Sequence, residues 1–385
     1  GSSSDQYYTV QNDIDASATM MWDNGAGFAP IGDNSTWFLG VFNGNGKVIN
    51  SLTINRPSQS EVGLFGFVGG SGVVKNLGLA GGRVTGSGYV GSLVGWNHQG
   101  TVSGCHATGS AKGSTYVGGL VGINQSGTVS GSHATGAVTG TSLVGGLVGV
   151  NDYGTVSVCY ATGAVTGSRA GGLVGENYGT VSLCYATGAV TGSTDIGGLA
   201  GRLYIGTVSR CYATGSVVGF AYVGGLVGYK GSGTVSGSYA TGPVMVTGPW
   251  PVGGLVGVNS GGTVDNSYWD TNTTGQAASA GGGTGTNTAA MKQPATFAGW
   301  DFANVWQMTE DVTYPLLRTE VVPAGAGTEG DPYRISLLAH LTWVGDNVGS
   351  SSGQYYTVQN DIDVSDITNW NGGAGFAPIG IYGVP

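Results

Sequence analysis

Charge is what this chain has least of. Of 385 residues, 12 are Lys or Arg and 21 are Asp or Glu, so charged residues make up 9% and the net charge is −9. A typical domain carries ~25% charged residues. So few cations argue against nucleic-acid binding, which needs a basic footprint, and make an anionic membrane surface a poor partner. Long apolar runs are also missing. No stretch of ~18 apolar residues exists, so no segment reads as a membrane span. The chain opens at Gly1 with no signal peptide, as the mature or fragment form of a secreted protein would. Histidine is scarce: His98, His106, His133 and His340 are the four, and none is followed by Glu. The H-E-x-x-H pattern that sets two ligands and a base on one helical face of a zinc peptidase is therefore absent. Four cysteines are present, without metal-ligand spacing.

Glycine, by contrast, is abundant at 78 residues, and 40% of the chain is hydrophobic. That apolar content separates it from a disordered Gly-rich linker. A phrase recurs: G-G-L-V-G, then Asn, then G-T-V-S, then C-Y-A-T-G. Its Leu falls at Leu64, Leu93, Leu120, Leu147, Leu173, Leu199, Leu226 and Leu255, in steps of 29, 27, 27, 26, 26, 27 and 29. A fixed period of this length marks stacked structural units. Each middle repeat reads as three short strands bounded by Gly, such as residues 146–149, 155–162 and 164–166. The expected fold is all-β, a parallel β-solenoid, or three-stranded β-helix, with coils of about 27 residues rising by the ~4.8 Å strand spacing.

Stacking turns equivalent positions into ladders. Thr101, Thr128, Thr155, Thr180, Thr207, Thr234 and Thr263 align, with Val102 through Val264 beside them. Strand alternation sends the Val row inward and the Thr row outward. Asn97, Asn124, Asn151, Asn177 and Asn259 form a corner row whose amides can bond along the stack. Leu203 and Lys230 interrupt it. A row of small residues runs Cys105, Ser132, Cys159, Cys184, Cys211, Ser238, Ser267. The aromatic row after it is His106, His133, Tyr160, Tyr185, Tyr212, Tyr239, Tyr268. If the S-x pair of T-V-S-x-C-Y-A-T holds a bend, the small residues lie inside and the aromatic ones outside.

A larger repeat joins the ends. Residues 1–33 and 349–381 match at 24 of 33 positions at an offset of 348. The chain thus reads as one large unit followed by the start of another. Residues 1–63 are expected to be lead-in coils, with edge-like strands near 38–42 and 48–54. Residues 64–275 are the repeat solenoid. Residues 276–322 are an irregular cap, with a short helix within 289–300 and an aromatic cluster of Trp300, Phe302, Trp306, Tyr314 and Leu316. Residues 323–385 are a linker and the start of a second unit. There Ile335, Leu337, Leu338, Leu341 and Val344 have helical spacing.

The phrase G-G-L-V-G with N-x-x-G-T-V-x-x-C-Y-A-T-G resembles the GLUG motif of bacterial cell-surface proteins. The lead-in Y-Y-T-V-Q-N-D-I-D and F-A-P-I-G and the tail Ser267-Tyr268-Trp269-Asp270 are similar to the same family. The resemblance implies large secreted surface proteins, often adhesin-like and akin to filamentous haemagglutinins. It also implies kinship with segments that accompany metallopeptidases cleaving immunoglobulin A. It brings no catalytic residue.

Other candidates read as structural. His106 and His133 would stack on neighbouring coils, either as ladder members or as a metal pair. Gly349-Ser350-Ser351-Ser352-Gly353 matches a nucleophile elbow, but in a Ser-rich loop. Cys159, Cys184 and Cys211 fall within disulfide range on successive coils, although Ser stands at the same position elsewhere. Asp13 and Asp15, repeated at Asp361 and Asp363, suit capping turns better than a Ca²⁺ loop. Asp152, Glu176, Asp195 and Asp265 share no ladder position, as paired glycosidase carboxylates would need. Asn34, Asn124 and Asn272 head N-x-S/T triplets. No catalytic residue, cofactor or metal is nominated.

The expected function is non-enzymatic: an extracellular stalk or filament partnered by copies of itself, in tandem or end to end. The alternative is an adhesin binding a glycan or cell-surface ligand. Its candidate surface ladder is Tyr160, Tyr185, Tyr212, Tyr239 and Tyr268, with Asn and Thr nearby.

Overall fold

The computed structural model describes residues 6–321, together with 323, 325, 327–330, 332–335, 340, 341, 343, 344 and 353–358. Asp361, Asp363 and most of the 349–381 repeat lie outside the described residues. Two compact units are present, Gly1–Thr288 and Ala289–Pro385.

The first unit is the expected parallel β-solenoid. Its strands form sheets of nineteen, eleven and eight members. One coil shows the path. Val148–Asp152 lies in the eight-stranded sheet. Thr155–Ser157 and Tyr160–Ala161 lie in the nineteen-stranded sheet, and Val165–Gly171 in the eleven-stranded one. Equivalent residues pair in register from coil to coil, as in Thr128↔Thr155 and Val129↔Val156. The middle segment is two strands because the x of T-V-S-x is left-handed. Its φ is +60° at Gly104, +54° at Val158, +54° at Leu183 and +53° at Arg210. This corner resets the alternation, so that Val156, Cys159 and Ala161 all point inward and are buried.

The core is a single column of Val, Leu, Ala and Cys. It is thin because Gly faces Ala across it. A Cβ on Gly146 would fall within contact of the Gly172 carbonyl and 2.9 Å from Ala161 Cβ, and Gly172 meets Ala186 at the same distance. The second Gly of G-G-L-V-G is therefore a packing requirement. At the far end Trp269 takes the place of the Ala row and packs against Gly254. Its indole N–H donates to the Gln276 carbonyl at 2.8 Å, and strand Thr284–Thr286 pairs beyond strand Tyr268–Asp270. The last coil is thus covered from within the first unit. At the near end, Val41–Asn50 is an interior strand rather than an edge. It sits between Tyr7–Thr9 and Ile14–Asp15 on one side and Val73–Ala80 on the other.

In the second unit the expected 289–300 helix shrinks to Thr288–Met291 plus a 3₁₀ turn at Pro294–Thr296, since Pro294 has no N–H to continue a helix. Trp300 stacks on Trp306 at 4.4 Å and lies 4.7 Å from Phe297. Ile335 belongs to a strand, Tyr333–Ile335, paired in parallel with Tyr356–Val358. Residues 340, 341, 343 and 344 are helical, while Leu337 and Leu338 lie outside the described residues.

Candidate functional surface

The aromatic ladder forms, but not as an exposed surface. His106, His133, Tyr160, Tyr185, Tyr212 and Tyr239 stack face to face with centroids 4.4–5.0 Å apart and planes within 3–8°. The coil rise matches the stacking distance, so each ring covers its neighbours' faces. Tyr185, Tyr212, Tyr239 and Tyr268 are buried and Tyr160 half-buried. The rings lie outside the core column as expected, and the expectation that they are exposed is corrected: they are covered. The faces a sugar would stack on are taken by the ladder itself. Burial also holds both histidines below the ordinary imidazole range. His133 falls to about 4, from burial first and the neighbouring His106 second.

The asparagine row bonds along the stack as expected. Asn97 Nδ2 donates to Asn124 Oδ1 (2.7 Å), Asn124 to Asn151 (2.8 Å) and Asn151 to Asn177 (2.8 Å). The first three also donate to the Gly carbonyl three residues on, at 3.0–3.1 Å. All four are fully buried, so Asn124 is closed to glycosylation. Leu203 interrupts the row with a buried side chain. Lys230, also fully buried, restarts it by donating to Asn259 Oδ1 at 3.0 Å and to the Gly261 carbonyl.

The cysteines are free and buried. Burial raises Cys105 to about 12 and Cys159 and Cys184 well above the usual thiol value. These three are therefore neutral thiols, inert as nucleophiles. Asp13 accepts from Val48 N–H and Asp15 from Ser17 N–H, both at 2.9 Å, which are turn and capping bonds. His340 Nε2 bonds the Glu320 carbonyl at 2.6 Å, a structural contact. Among the described residues no group of three or more His, Cys, Asp or Glu could hold a metal ion.

Chemical variety is concentrated on the eight-stranded sheet. The residue before the corner Asn points outward, and register aligns Phe67, Trp96, Ile123, Val150, Glu176, Arg202, Tyr229 and Val258. Beside this row runs a corner row with φ between +47° and +59°: Glu61, Tyr89, Tyr116, Leu143, Arg169, Asp195 and Tyr222. The two rows fold over each other. Toward the chain start they are aromatic. Trp37 stacks on Phe67 (5.0 Å), and Tyr89 on both Trp96 (4.8 Å) and Tyr116 (4.7 Å). Ile123, Leu143 and Val150 make a small apolar layer against Trp96, Tyr116 and Tyr178. Further on the rows are charged. Arg202 reaches Asp195 at 3.3 Å and Glu176 at 3.6 Å, and its guanidinium lies 4.8 Å over the Tyr229 ring. Burial nevertheless holds the Asp195 carboxyl above its usual range, against the pull of Arg202 and Arg169. Tyr178 donates to Glu176 at 3.0 Å, and burial beside that carboxylate raises it to about 12. Exposed Trp37, Tyr153 and Tyr204 add aromatic edges. The pointer in the sequence was the variable x of G-G-L-V-G-x-N, which the repeat leaves free.

Five segments of the repeat, residues 86–111, 113–139, 140–166, 166–191 and 192–218, match one family description. These five repeats are GLUG motifs. Part of this GLUG solenoid is 42% identical over 108 residues to halomucin of Haloquadratum walsbyi, covering 28% of this chain and 1% of halomucin. It is also 41% identical over 95 residues to a protein of Evansella cellulosilytica provisionally described as a Gly-rich membrane protein, covering 24% of this chain and 11% of that one. The chain therefore matches only a small part of either curated relative's length. A solved structure from Bacteroides ovatus, provisionally described as an immunoglobulin A1 protease, aligns over 81% of this chain and 86% of its own. Its TM-score is 0.36 and its identity 19%. Among the described residues no helix is long and apolar enough to cross a membrane.

Proposed function

We propose that this chain is a non-enzymatic segment of an extracellular structural protein, a stiff stalk or filament at the cell surface. Its units join end to end, as tandem repeats in one chain or as separate copies. The observation that carries this reading is the ladder construction: each coil's Val, Gly, Asn and Tyr positions are satisfied by the same residues of its neighbours, so the unit extends by repetition. The 348-residue offset between residues 1–33 and 349–381 extends that logic to whole units. The low charge and the halomucin relationship support a surface location. Electron microscopy of native material, taken from the cell surface without refolding, tests it. Fibres with an axial repeat matching one 348-residue unit are expected, and short isolated rods would sink the filament reading.

The second reading, an adhesin, is favoured by the aromatic part of the variable face rather than by the Tyr ladder. Trp37, Tyr89, Trp96 and Tyr116 present aromatic surface, and the Trp96 indole N–H is buried without a partner among the described residues. Glycan-array binding that falls when Trp37 and Tyr89 become Ala, but not when Thr155 does, is its expected signature. Array binding unchanged by both substitutions would refute it.

A further inference from the structure

Among the described residues the solenoid has an open strand edge at Tyr7–Thr9. Tyr7–Thr9 pairs only with Val41–Asn50 among the described residues. All three of its residues are exposed, Tyr7 by 77%. The bonds to the inner neighbour use the Gln6 carbonyl, which accepts from Val41 N–H (2.9 Å), and Val10 N–H, which donates to the Asn43 carbonyl (3.0 Å). Strand alternation turns the backbone groups of Tyr7 and Thr9 the other way, toward an edge that carries no partner strand among the described residues.

The same strand occurs a second time. Gln354-Tyr355-Tyr356-Thr357-Val358 repeats Gln6-Tyr7-Tyr8-Thr9-Val10. It repeats a local contact as well: Tyr8 Oη donates to Gln6 Oε1 at 2.5 Å and Tyr356 Oη to Gln354 Oε1 at 2.7 Å. In this second copy the edge is filled. Tyr355, the counterpart of Tyr7, donates its N–H to the Gly327 carbonyl (3.0 Å), and its carbonyl accepts from Tyr333 N–H (2.9 Å). Strand Tyr333–Ile335 runs parallel to it in the register Tyr333↔Tyr356, Arg334↔Thr357, Ile335↔Val358. Ile335 and Val344 are buried, and Trp343 packs edge-on to Tyr333 at 5.0 Å.

We infer that Gly327 and strand Tyr333–Ile335 begin a coil against strand Tyr356–Val358, and that the Tyr7–Val10 edge is a docking site for a second copy of this segment. The register carries over as Tyr333 opposite Tyr8, Arg334 opposite Thr9 and Ile335 opposite Val10. Two observations made independently of each other meet in this assignment. The groups engaged in the second copy, N–H and carbonyl of the first Tyr, belong to the edge that has no partner strand among the described residues in the first. The first copy also has an apolar cavity of about 340 Å³ beside that edge, lined chiefly by Tyr8, Ile31, Trp37, Phe38, Phe42 and Phe65. This is space for apolar side chains of the incoming segment. Parallel strand addition of this kind gives main-chain affinity, with alternate side chains supplying specificity. The inference deepens the end-to-end reading above and rests on it for its biological use, because it makes the joint between units a completed coil rather than a flexible linker.

The test lengthens the full chain at its N-terminus by a second copy of residues 326–348, which restores the sequence order found before Gly349. Hydrogen exchange of the peptide covering residues 6–12 is then read by mass spectrometry, with mass in solution measured alongside. Exchange of this peptide slowed at least about tenfold is expected, with the effect lost when Ile335 of the added copy becomes Asp. Protection accompanied by a doubled mass, again lost with that change, supports the same docking made between chains. Unchanged exchange at residues 6–12, or protection that survives the Asp substitution, overturns the inference. Either result leaves the axial repeat in native fibres to be decided separately by microscopy.

Discussion

Removing one amide from the middle of the asparagine row tests whether the ladder or the Val column holds successive coils together. Asn124 is fully buried and makes three short bonds. It accepts from Asn97 at 2.7 Å and donates to Asn151 at 2.8 Å and to the Gly127 carbonyl at 3.1 Å. In Asn124→Ala, Asn151 Oδ1 loses its donor, while the Gly127 carbonyl keeps the Thr155 N–H at 2.9 Å. Asn97 keeps only the Gly100 carbonyl at 3.1 Å. A buried polar group left unsatisfied costs roughly 1–3 kcal/mol, so one orphan and one half-satisfied amide give a loss of about 2–4 kcal/mol. Asn97→Ala is expected to cost less, because Asn97 Oδ1 already lacks a partner among the described residues. Asn124→Leu, which copies the natural residue at Leu203, keeps the volume and so separates hydrogen bonding from cavity formation. The double variant Asn124→Ala/Asn151→Ala removes one orphan together with its cause. It should fall short of the sum of its parts by about 1–2 kcal/mol. Because a repeat array need not unfold in one step, the assay is native-state hydrogen exchange resolved to the coils between 120 and 160, with urea denaturation as a check. Single-site losses below about 1 kcal/mol, or strict additivity, would refute the view that the ladder is a connected element.

Three further outcomes follow from the corner, core and ladder positions. Val158 holds φ +54° where Gly104, Gly131 and Gly237 stand in other coils. Val158→Gly is expected to be neutral or stabilising by up to about 1 kcal/mol, as relief of left-handed strain offsets chain entropy. Gly131→Val, whose nearest obstacle is an atom at 3.8 Å, should cost about 1–2 kcal/mol, and equal denaturation midpoints for all three proteins would contradict the argument. Gly146→Ala drives a methyl into the Gly172 carbonyl and Ala161. It should cost at or above the roughly 1–3 kcal/mol of an overpacked core, seen as lost exchange protection on both flanking coils. His133 titrates near 4 in the fold against an ordinary 6.5. The unfolded chain therefore takes the proton first, and stability present above pH ~6.5 is lost as pH falls toward 4. The difference amounts to about 3 kcal/mol at most. His133→Tyr, which extends the Tyr stack, should flatten that slope in thermal melts run from pH 7 to 4, and an unchanged slope would exclude His133 as its source.

Much of this molecule is written in its repeat. The period, the inward Val row and the amide row were legible because stacking puts identical residues opposite one another, and identical residues can satisfy one another only in register. The bend at S-x was legible too, since T-V-S-x-C-Y-A-T cannot bury Val, Cys and Ala on one side without it. The fate of the Tyr row was not. Alternation says that Tyr160 and its partners point away from the Ala row, but whether an outward ring is open or closed depends on the rise between coils. At ~5 Å that rise equals the thickness of stacked rings. Nor could the sequence announce the variable face, because its two rows come from residues about seven apart that meet only where a left-handed corner folds one over the other. The end joint has the same character. The repeated Tyr-Tyr-Thr-Val is visible in one dimension, but which edge of it is vacant, and which segment fills the other copy, is decided by the direction in which each backbone amide points once the coil is closed.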